Sequence, residues 1–185
     1  MKILALGHKS RTGKDTAAGF LATQLRMRKQ GINVQAVSFA TLLKKMTYEA
    51  FKWAGAKPGD FYETHPEERT KILEPLGMDI VQLWVAVGES MNKINEKVWV
   101  NSLFENYKAD ILIIRDLRRI PEFRAIKERG GICIRVVKPD APIRDTVSDN
   151  YLNDCSEWDE TLVNDGSLNL LYDNVGKWID KYELI

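Results

Sequence analysis

Gly13-Lys14-Asp15-Thr16 is the stretch whose residue types and spacing point most directly to chemistry. It follows the apolar run Leu4-Ala5-Leu6 and the polar residues His8-Lys9-Ser10-Arg11-Thr12, and it opens an amphipathic segment. A strand, a polar turn and a helix beginning at Gly-Lys form the layout of a phosphate-binding loop. Successive backbone N–H groups of such a loop converge on an anion, and the following helix adds its unsatisfied N–H groups and the positive end of its dipole. Lys9, Arg11, Thr12, Gly13, Lys14, Asp15 and Thr16 are therefore read as nucleotide-contacting residues. Lys14 carries charge to the β- and γ-phosphates, and Thr16 or Asp15 faces a Mg²⁺ ion. The match to G-x-x-x-x-G-K-[ST] is incomplete: His8 stands where the first glycine belongs, Gly7 lies one residue too early, and Asp15 follows the lysine.

A second group lies far along the chain. Asp116 follows the apolar residues Ile111-Leu112-Ile113-Ile114 and Arg115, at the end of a strand, where enzymes with such a loop keep an acid for Mg²⁺ or its water shell. An Asp also closes strands simply because it favours turns. Arg115, Arg118 and Arg119 surround it; a guanidinium binds phosphate in bidentate fashion. Of these, Arg118 is the candidate catalytic cation, and Arg119 is read as facing solvent. Arg144, in a polar irregular stretch, is a candidate to close over the nucleotide and exclude water. Lys138, after a further strand, joins the nucleotide side. His8 is assigned packing or a hydrogen bond, since phosphoryl transfer depends chiefly on positioning and charge. Trp84 and Trp99 sit at helical spacing and read as core, with base stacking the alternative.

The elements that must position these residues alternate. Residues 2–7 read as a buried strand, 15–28 as a helix ended by Gly31, 32–39 as a second strand, and 40–54 as a helix with Lys44 near its start. Gly55 to His65 reads as a surface loop around Pro58-Gly59. A helix starts at Pro66 and breaks at Leu76-Gly77. Asp79 caps another, whose Ile80, Val81, Leu83, Trp84 and Val87 are too apolar for a surface helix. A helix over 98–107, a strand ending at Arg115-Asp116, a helix opened by Pro121 and closed by Gly130-Gly131, and a strand over 132–137 follow. The chain ends with a short strand at 161–163, a turn at Asn164-Asp165-Gly166-Ser167, and an amphipathic helix from Leu168. Such alternation predicts an α/β fold with a mainly parallel sheet covered on both faces. Ligands bind at the carboxyl ends of such strands, which puts Gly13-Lys14, Asp116 and Lys138 along one edge.

The totals bound the partners. The 185 residues suit one domain and carry a net charge of +1, 44% hydrophobic and 29% charged residues, so no global basic field argues for a nucleic-acid polymer. No apolar run reaches the roughly 18 residues of a membrane span, and no signal-peptide pattern precedes the loop. Two cysteines and two histidines suggest neither a disulfide framework nor a zinc site. Cys133 reads as core, and a reducing, cytoplasmic setting is expected.

With these residues in place, the chain resembles the deoxynucleoside monophosphate kinases of tailed bacteriophages, within the P-loop kinase superfamily. Arg11-Thr12-Gly13-Lys14-Asp15-Thr16 is similar to that family's R-S-G-K-D-T, which also has Asp after the lysine. Phe39-Ala40 with Leu43-Lys44 resembles F-A-x-x-L-K, and Gly88-Glu89 followed by Trp99-Val100 resembles a G-T/E…W-V segment. Asp116-Leu117-Arg118 with Glu122 matches D-x-R-x-x-x-E, Val136-Val137-Lys138-Pro139 is similar to V-V-R-P, and Ser148-Asp149 stands for an S-E pair. Asn164-Asp165-Gly166-Ser167-Leu168 matches N-D-G-S-L. The departures are Val81 and Val85 where the family often has Arg and Gln, Asn92 and Lys93 where an Arg usually follows the glycine, and a missing lid histidine.

The resemblance implies a P-loop nucleoside monophosphate kinase fold over 1–185, with an acceptor-side helical region at 40–108, in which Lys44 and Lys93 are the candidates to meet the acceptor along with Arg118, and a lid-like segment at 139–160. It implies transfer of the ATP γ-phosphoryl group to a nucleoside monophosphate, with Mg²⁺, in a homodimer and, for a viral chain, in the host cytoplasm. A kinase for another small phosphate acceptor, such as phosphomevalonate, and an ATP-binding module without catalysis remain alternatives.

Overall fold

The computed structural model describes residues 1–141 and 150–185. Arg144, Ser148 and Asp149 lie outside the described residues. The chain divides into two compact units, Met1–Ser38 with Phe104–Ile185, and Phe39–Leu103.

The first unit is built on a five-stranded sheet. In chain order its strands are β1 (Lys2–Gly7), β2 (Val34–Val37), β5 (Ile111–Leu117), β6 (Ile132–Val137) and β7 (Glu160–Val163). They lie in the order β2-β5-β1-β6-β7, and every neighbouring pair is parallel. This is the α/β architecture the alternation predicts. Strand β1 is central, so the loop that leaves it sits in the middle of the sheet's carboxyl edge, where ligands bind in such sheets.

Alternation along β1 explains how both faces are covered. Leu4 and Leu6 join Ile111, Ile113, Ile134 and Val136 in a core completed by α1 (Lys14–Arg28) and the last helix, α7 (Leu168–Lys181). Ile3, on the opposite face, lies close to Gly131 together with Ile126 of α6 (Ile120–Lys127). Ser167 caps α7 by accepting a hydrogen bond from the Leu170 N–H, which accounts for a helix start just after Asn164-Asp165-Gly166.

One irregularity bears on the site. Ala5 pairs with Ile114 and Gly7 with Leu117, so Arg115 and Asp116 together oppose Leu6. This bulge re-aims the end of β5, as bulges beside functional sites do.

The second unit is mainly helical. It contains α2 (Phe39–Phe51), a 3-10 turn at Lys52–Ala54, α3 (Phe61–Thr64), a 3-10 turn at Pro66–Thr70, the two-residue strands β3 (Ile72–Leu73) and β4 (Met78–Asp79), α4 (Ile80–Ile94) and the start of α5 (Val98–Asn106). Its core is formed by Ala56, Tyr62, Ile80 and Leu83. Asp79 caps α4 through a capping box with Gln82, as expected.

Two expectations are corrected here. The segment from Pro66 is a single 3-10 turn, and β3 and β4 then pair as an antiparallel hairpin. Pro75 lacks an amide donor and Gly77 takes φ 65°, so the chain reverses instead of continuing a helix. Gly55 to His65 is not loop throughout, because α3 folds within it, capped by Asp60 and with Tyr62 buried.

Candidate active site

The loop after β1 has an unusual backbone. His8 takes φ 85°, Arg11 φ 59° and Gly13 φ 94°. Left-handed residues interleaved with ordinary ones turn successive N–H groups towards one concavity, the arrangement that binds anions. At His8 and Arg11 the conformation is strained, and such strain persists where surrounding structure over-determines it. The position where the loop motif asks for glycine thus takes a conformation suited to glycine, although histidine occupies it.

The side chains show what holds this conformation. His8 is 5% exposed. Its Nε2 lies 3.1 Å from Asn153 Oδ1 and 3.3 Å from Arg135 Nη2, and its ring meets Trp158 edge-on. Burial, then the charges of Arg135, Lys9 and Lys14, hold its pKa below the usual value, against the hydrogen bond to Asn153. His8 is therefore a packed, hydrogen-bonded residue, in line with the sequence reading. Gly7 leaves no room for a side chain, since a Cβ there would meet Trp158 and the Leu117 carbonyl at 2.7 and 2.8 Å.

Lys14, at the first position of α1, is buried, and its Nζ donates to the carbonyl of Lys9 and to Thr12 Oγ1. The Thr12 hydroxyl also donates to the Lys9 carbonyl, at 3.2 Å. The ammonium thus sits within the loop. Arg11, Asp15 and Thr16 are exposed, and Lys9 is half-buried. The Asp15 carboxylate lies 3.5 Å from Arg115 Nη1, an exposed contact that contributes little.

At the end of β5 the half-buried Asp116 accepts a 2.5 Å hydrogen bond from the hydroxyl of Ser38, which directly follows β2. Adjacent strands therefore bring a hydroxyl and a carboxylate together on the same sheet edge as the loop. Arg118 and Arg119 begin the turn into α6, where both of their N–H groups donate to Glu122 Oε2 at 3.0 Å. Glu122 is 6% exposed, and burial, reinforced by the charge of Asp116, pushes its pKa up to about 8 against those two N–H bonds. Arg119 does not simply face solvent, because its guanidinium lies 4.9 Å over the Tyr151 ring. Lys138 is exposed at the end of β6. Cys133 is fully buried in β6 and its thiol is pushed up to about 12 by burial.

Lys44 and Lys93 belong to the helical unit. Lys44 Nζ lies 2.7 Å from Glu63 Oε1 and 5.1 Å over the Trp84 ring. Lys93 is exposed in the last turn of α4. Trp99 is core, while Trp84 is half-buried with its ring edge-on to Tyr62. Among the described residues, Asn92 Oδ1 is buried without a hydrogen-bond partner, and Val81 and Val85 are 42% and 60% exposed.

Three residues that hydrogen-bond to the candidate site residues escaped the sequence reading as parts of the site: Ser38, Glu122 and Asn164. Ser38 had a local signal, a hydroxyl directly after an apolar strand. Glu122 stood out only as a motif position, and its burial depends on how α6 packs. Asn164 Nδ2 donates to the carbonyl of Thr12 at 3.0 Å, across 152 residues of sequence.

The oxygen donors present suit Mg²⁺, which takes one or two carboxylates together with water and substrate phosphate oxygens. Asp116, with Ser38 against it, and Asp15 and Thr16 supply such donors. Among the described residues no group of three or more His, Cys, Asp or Glu is arranged to hold a metal by itself. Nor is any described helix long and apolar enough to cross a membrane.

No family model and no curated relative matches this chain. Among solved structures, shikimate kinase from Aquifex aeolicus is similar with a TM-score of 0.46 at 11% identity, over 100% of this chain and 99% of that one. A sugar kinase from a Janibacter species is similar with a TM-score of 0.45 at 12% identity, over 97% of this chain and 95% of that one. Both are kinases by name, and similarity at this level says nothing of a substrate.

Proposed function

We propose that this chain is an ATP-dependent kinase that phosphorylates a nucleoside monophosphate, with a deoxynucleotide as the preferred acceptor. One observation carries the phosphoryl-transfer reading: the strained loop of His8, Arg11 and Gly13 closes around the buried ammonium of Lys14 at the central strand's carboxyl end. The choice of acceptor rests on the motif resemblance.

In this reading, backbone N–H groups of residues 9–15 hold the β-phosphate of ATP, and Lys14 bridges the β- and γ-phosphates. An oxygen of the acceptor phosphate attacks the γ-phosphorus, the bond to the β-phosphate oxygen breaks, and ADP leaves. The acceptor phosphate is already nucleophilic, so no general base is required. Asp116, with Asp15 or Thr16, would hold Mg²⁺, which when bound would supply positive charge against the phosphate oxygens. Arg118 meets the acceptor phosphate or the transferring group, and Glu122 fixes the turn that carries it. Lys138 and Arg144 serve the nucleotide side. Lys44 and Lys93 supply charge for the acceptor, and an acceptor phosphate competes with Glu63 for Lys44. The active form is a homodimer, which sedimentation equilibrium checks.

A kinase for another small phosphate acceptor is the second reading. It is favoured by the apolar, exposed Val81 and Val85 and by the unpartnered Asn92 Oδ1, all at positions where the resembled family differs. Phosphorus NMR of Mg-ATP incubated with each dNMP, each NMP and phosphomevalonate separates the readings. Diphosphate signals growing from a dNMP support the nucleotide kinase, and signals from phosphomevalonate alone move the assignment to the second reading. ATP binding without any acceptor-dependent product contradicts both.

A further inference from the structure

Asn164 occupies a place that the loop chemistry makes consequential. Its backbone N–H donates to the Val137 carbonyl at 2.7 Å, which anchors it where β6 and β7 end. Its side-chain amide donates to the Thr12 carbonyl at 3.0 Å. A Cβ on Gly13 would lie 2.4 Å from Asn164 Nδ2, so the amide fills the space that Gly13 leaves open. Only the NH₂ end of an Asn can face a carbonyl at that distance, so the contact also fixes the amide's orientation.

The consequence follows from peptide planarity. In a trans peptide the C=O and the following N–H point in opposite directions. A Thr12 carbonyl held outward by Asn164 therefore turns the Gly13 N–H the other way, into the loop. The same tether fixes Gly13 at φ 94°, directly before the residue that opens α1. We propose that Asn164 is a positioning residue for the phosphate loop: it orients the Thr12–Gly13 peptide so that the Gly13 N–H faces the nucleotide's phosphates. This rests on the phosphate-loop reading above and extends it to a residue at the far edge of the sheet.

The test is Mg-ADP affinity by titration calorimetry, together with KM values for Mg-ATP and for the acceptor, in wild type and Asn164→Ala. Loss of one oriented donor to a charged oxygen predicts about tenfold weaker Mg-ADP binding and about a tenfold higher KM for Mg-ATP, with an unchanged KM for the acceptor. A merely structural role would lower the active fraction, and with it kcat, and leave both KM values alone. Should Asn164→Ala fail to fold, Asn164→Asp decides: it keeps the shape but sets an oxygen against the carbonyl, and it should weaken Mg-ADP at least as much. A double-mutant cycle with Gly13→Ala sharpens the result, since removing the amide makes room for the new Cβ and the two losses should be less than additive. Wild-type affinity for Mg-ADP in folded Asn164 variants overturns this inference alone. Absence of Mg-ADP binding in the wild type overturns the phosphate-loop reading and this inference with it.

Discussion

The two compact units differ in how they handle left-handed backbone and buried charge. In the helical unit the described residues with positive φ are Gly55 and Gly77, so each such turn takes the residue that adopts it without strain. In the sheet unit the loop assigns His8 and Arg11 to that conformation and places the buried Lys14 behind them. Lys44, by contrast, reaches Glu63 and an aromatic face while still partly exposed. Local sequence choices satisfy the helical unit's turns. The loop is held by partners distant in sequence, namely Asn153, Arg135 and Asn164. Strain of this kind is held by tertiary contacts and not relieved by glycine.

Mutations can break that comparison. The largest effect is expected from Lys14→Ala, which should lower kcat by about a thousandfold, the scale of removing a cation from developing phosphate charge. Its melting temperature should stay near wild type, since a buried ammonium adds little to stability. Leu83→Ala, in the core of the helical unit, should do the reverse. It should lose about 3 kcal/mol in urea unfolding, and the protein that remains folded should keep its ATP affinity. If Lys14→Ala melted far below wild type at full specific activity, the contrast between the units would be void. Asp116→Asn should lower kcat by about a hundredfold with little change in melting; equal activity would remove it from the metal site.

A smaller effect, within the sheet unit, is read out by pH. Burial raises the pKa of Glu122 from 4.5 to about 8, so the folded state holds that proton more tightly than the unfolded chain does. The associated stability is complete below pH 4.5 and is lost as pH rises towards 8. His8 acts oppositely: its lowered pKa removes stability as pH falls below its ordinary value of 6.5. Glu122→Gln should still accept the N–H bonds of Arg118 and Arg119 and should flatten the loss between pH 5 and 8, by on the order of 2 kcal/mol. Urea unfolding across that range measures it. A parallel decline in both proteins would place the titrating group elsewhere.

The smallest effect tests whether the strain is functional. Glu183 takes φ 48° beyond α7, remote in sequence from the loop. Arg11→Gly and Glu183→Gly should each gain about 0.5 kcal/mol by relieving a left-handed side-chain residue. Only Arg11→Gly should weaken Mg-ATP binding. Equal affinity in both variants would show that Arg11 does not meet the phosphates.

What the sequence made legible follows the same division between near and far. The strand-loop-helix at Gly13-Lys14, the acid at the end of β5 and the turn at Asn164-Asp165-Gly166-Ser167 are local patterns, read from residues a few positions apart. The parallel sheet followed from alternation, and with it the shared edge of Lys14, Asp116 and Lys138. The β3–β4 hairpin was hidden because two-residue strands carry no periodicity and Pro66 imitates a helix start. Ser38 against Asp116, Asn164 on Thr12 and Asn153 on His8 depend on which strands become neighbours. No local pattern records that order. The strain at His8 was half visible, since a histidine at the motif's glycine position is the departure that the backbone then explains.

The most direct test of the central claim is ADP release from Mg-ATP with each deoxynucleoside monophosphate in turn, in wild type and Lys14→Ala. The account predicts acceptor-dependent release by the wild type with at least one dNMP, and its near-complete loss in Lys14→Ala. Release that is independent of acceptor, or equal in the two proteins, would contradict it.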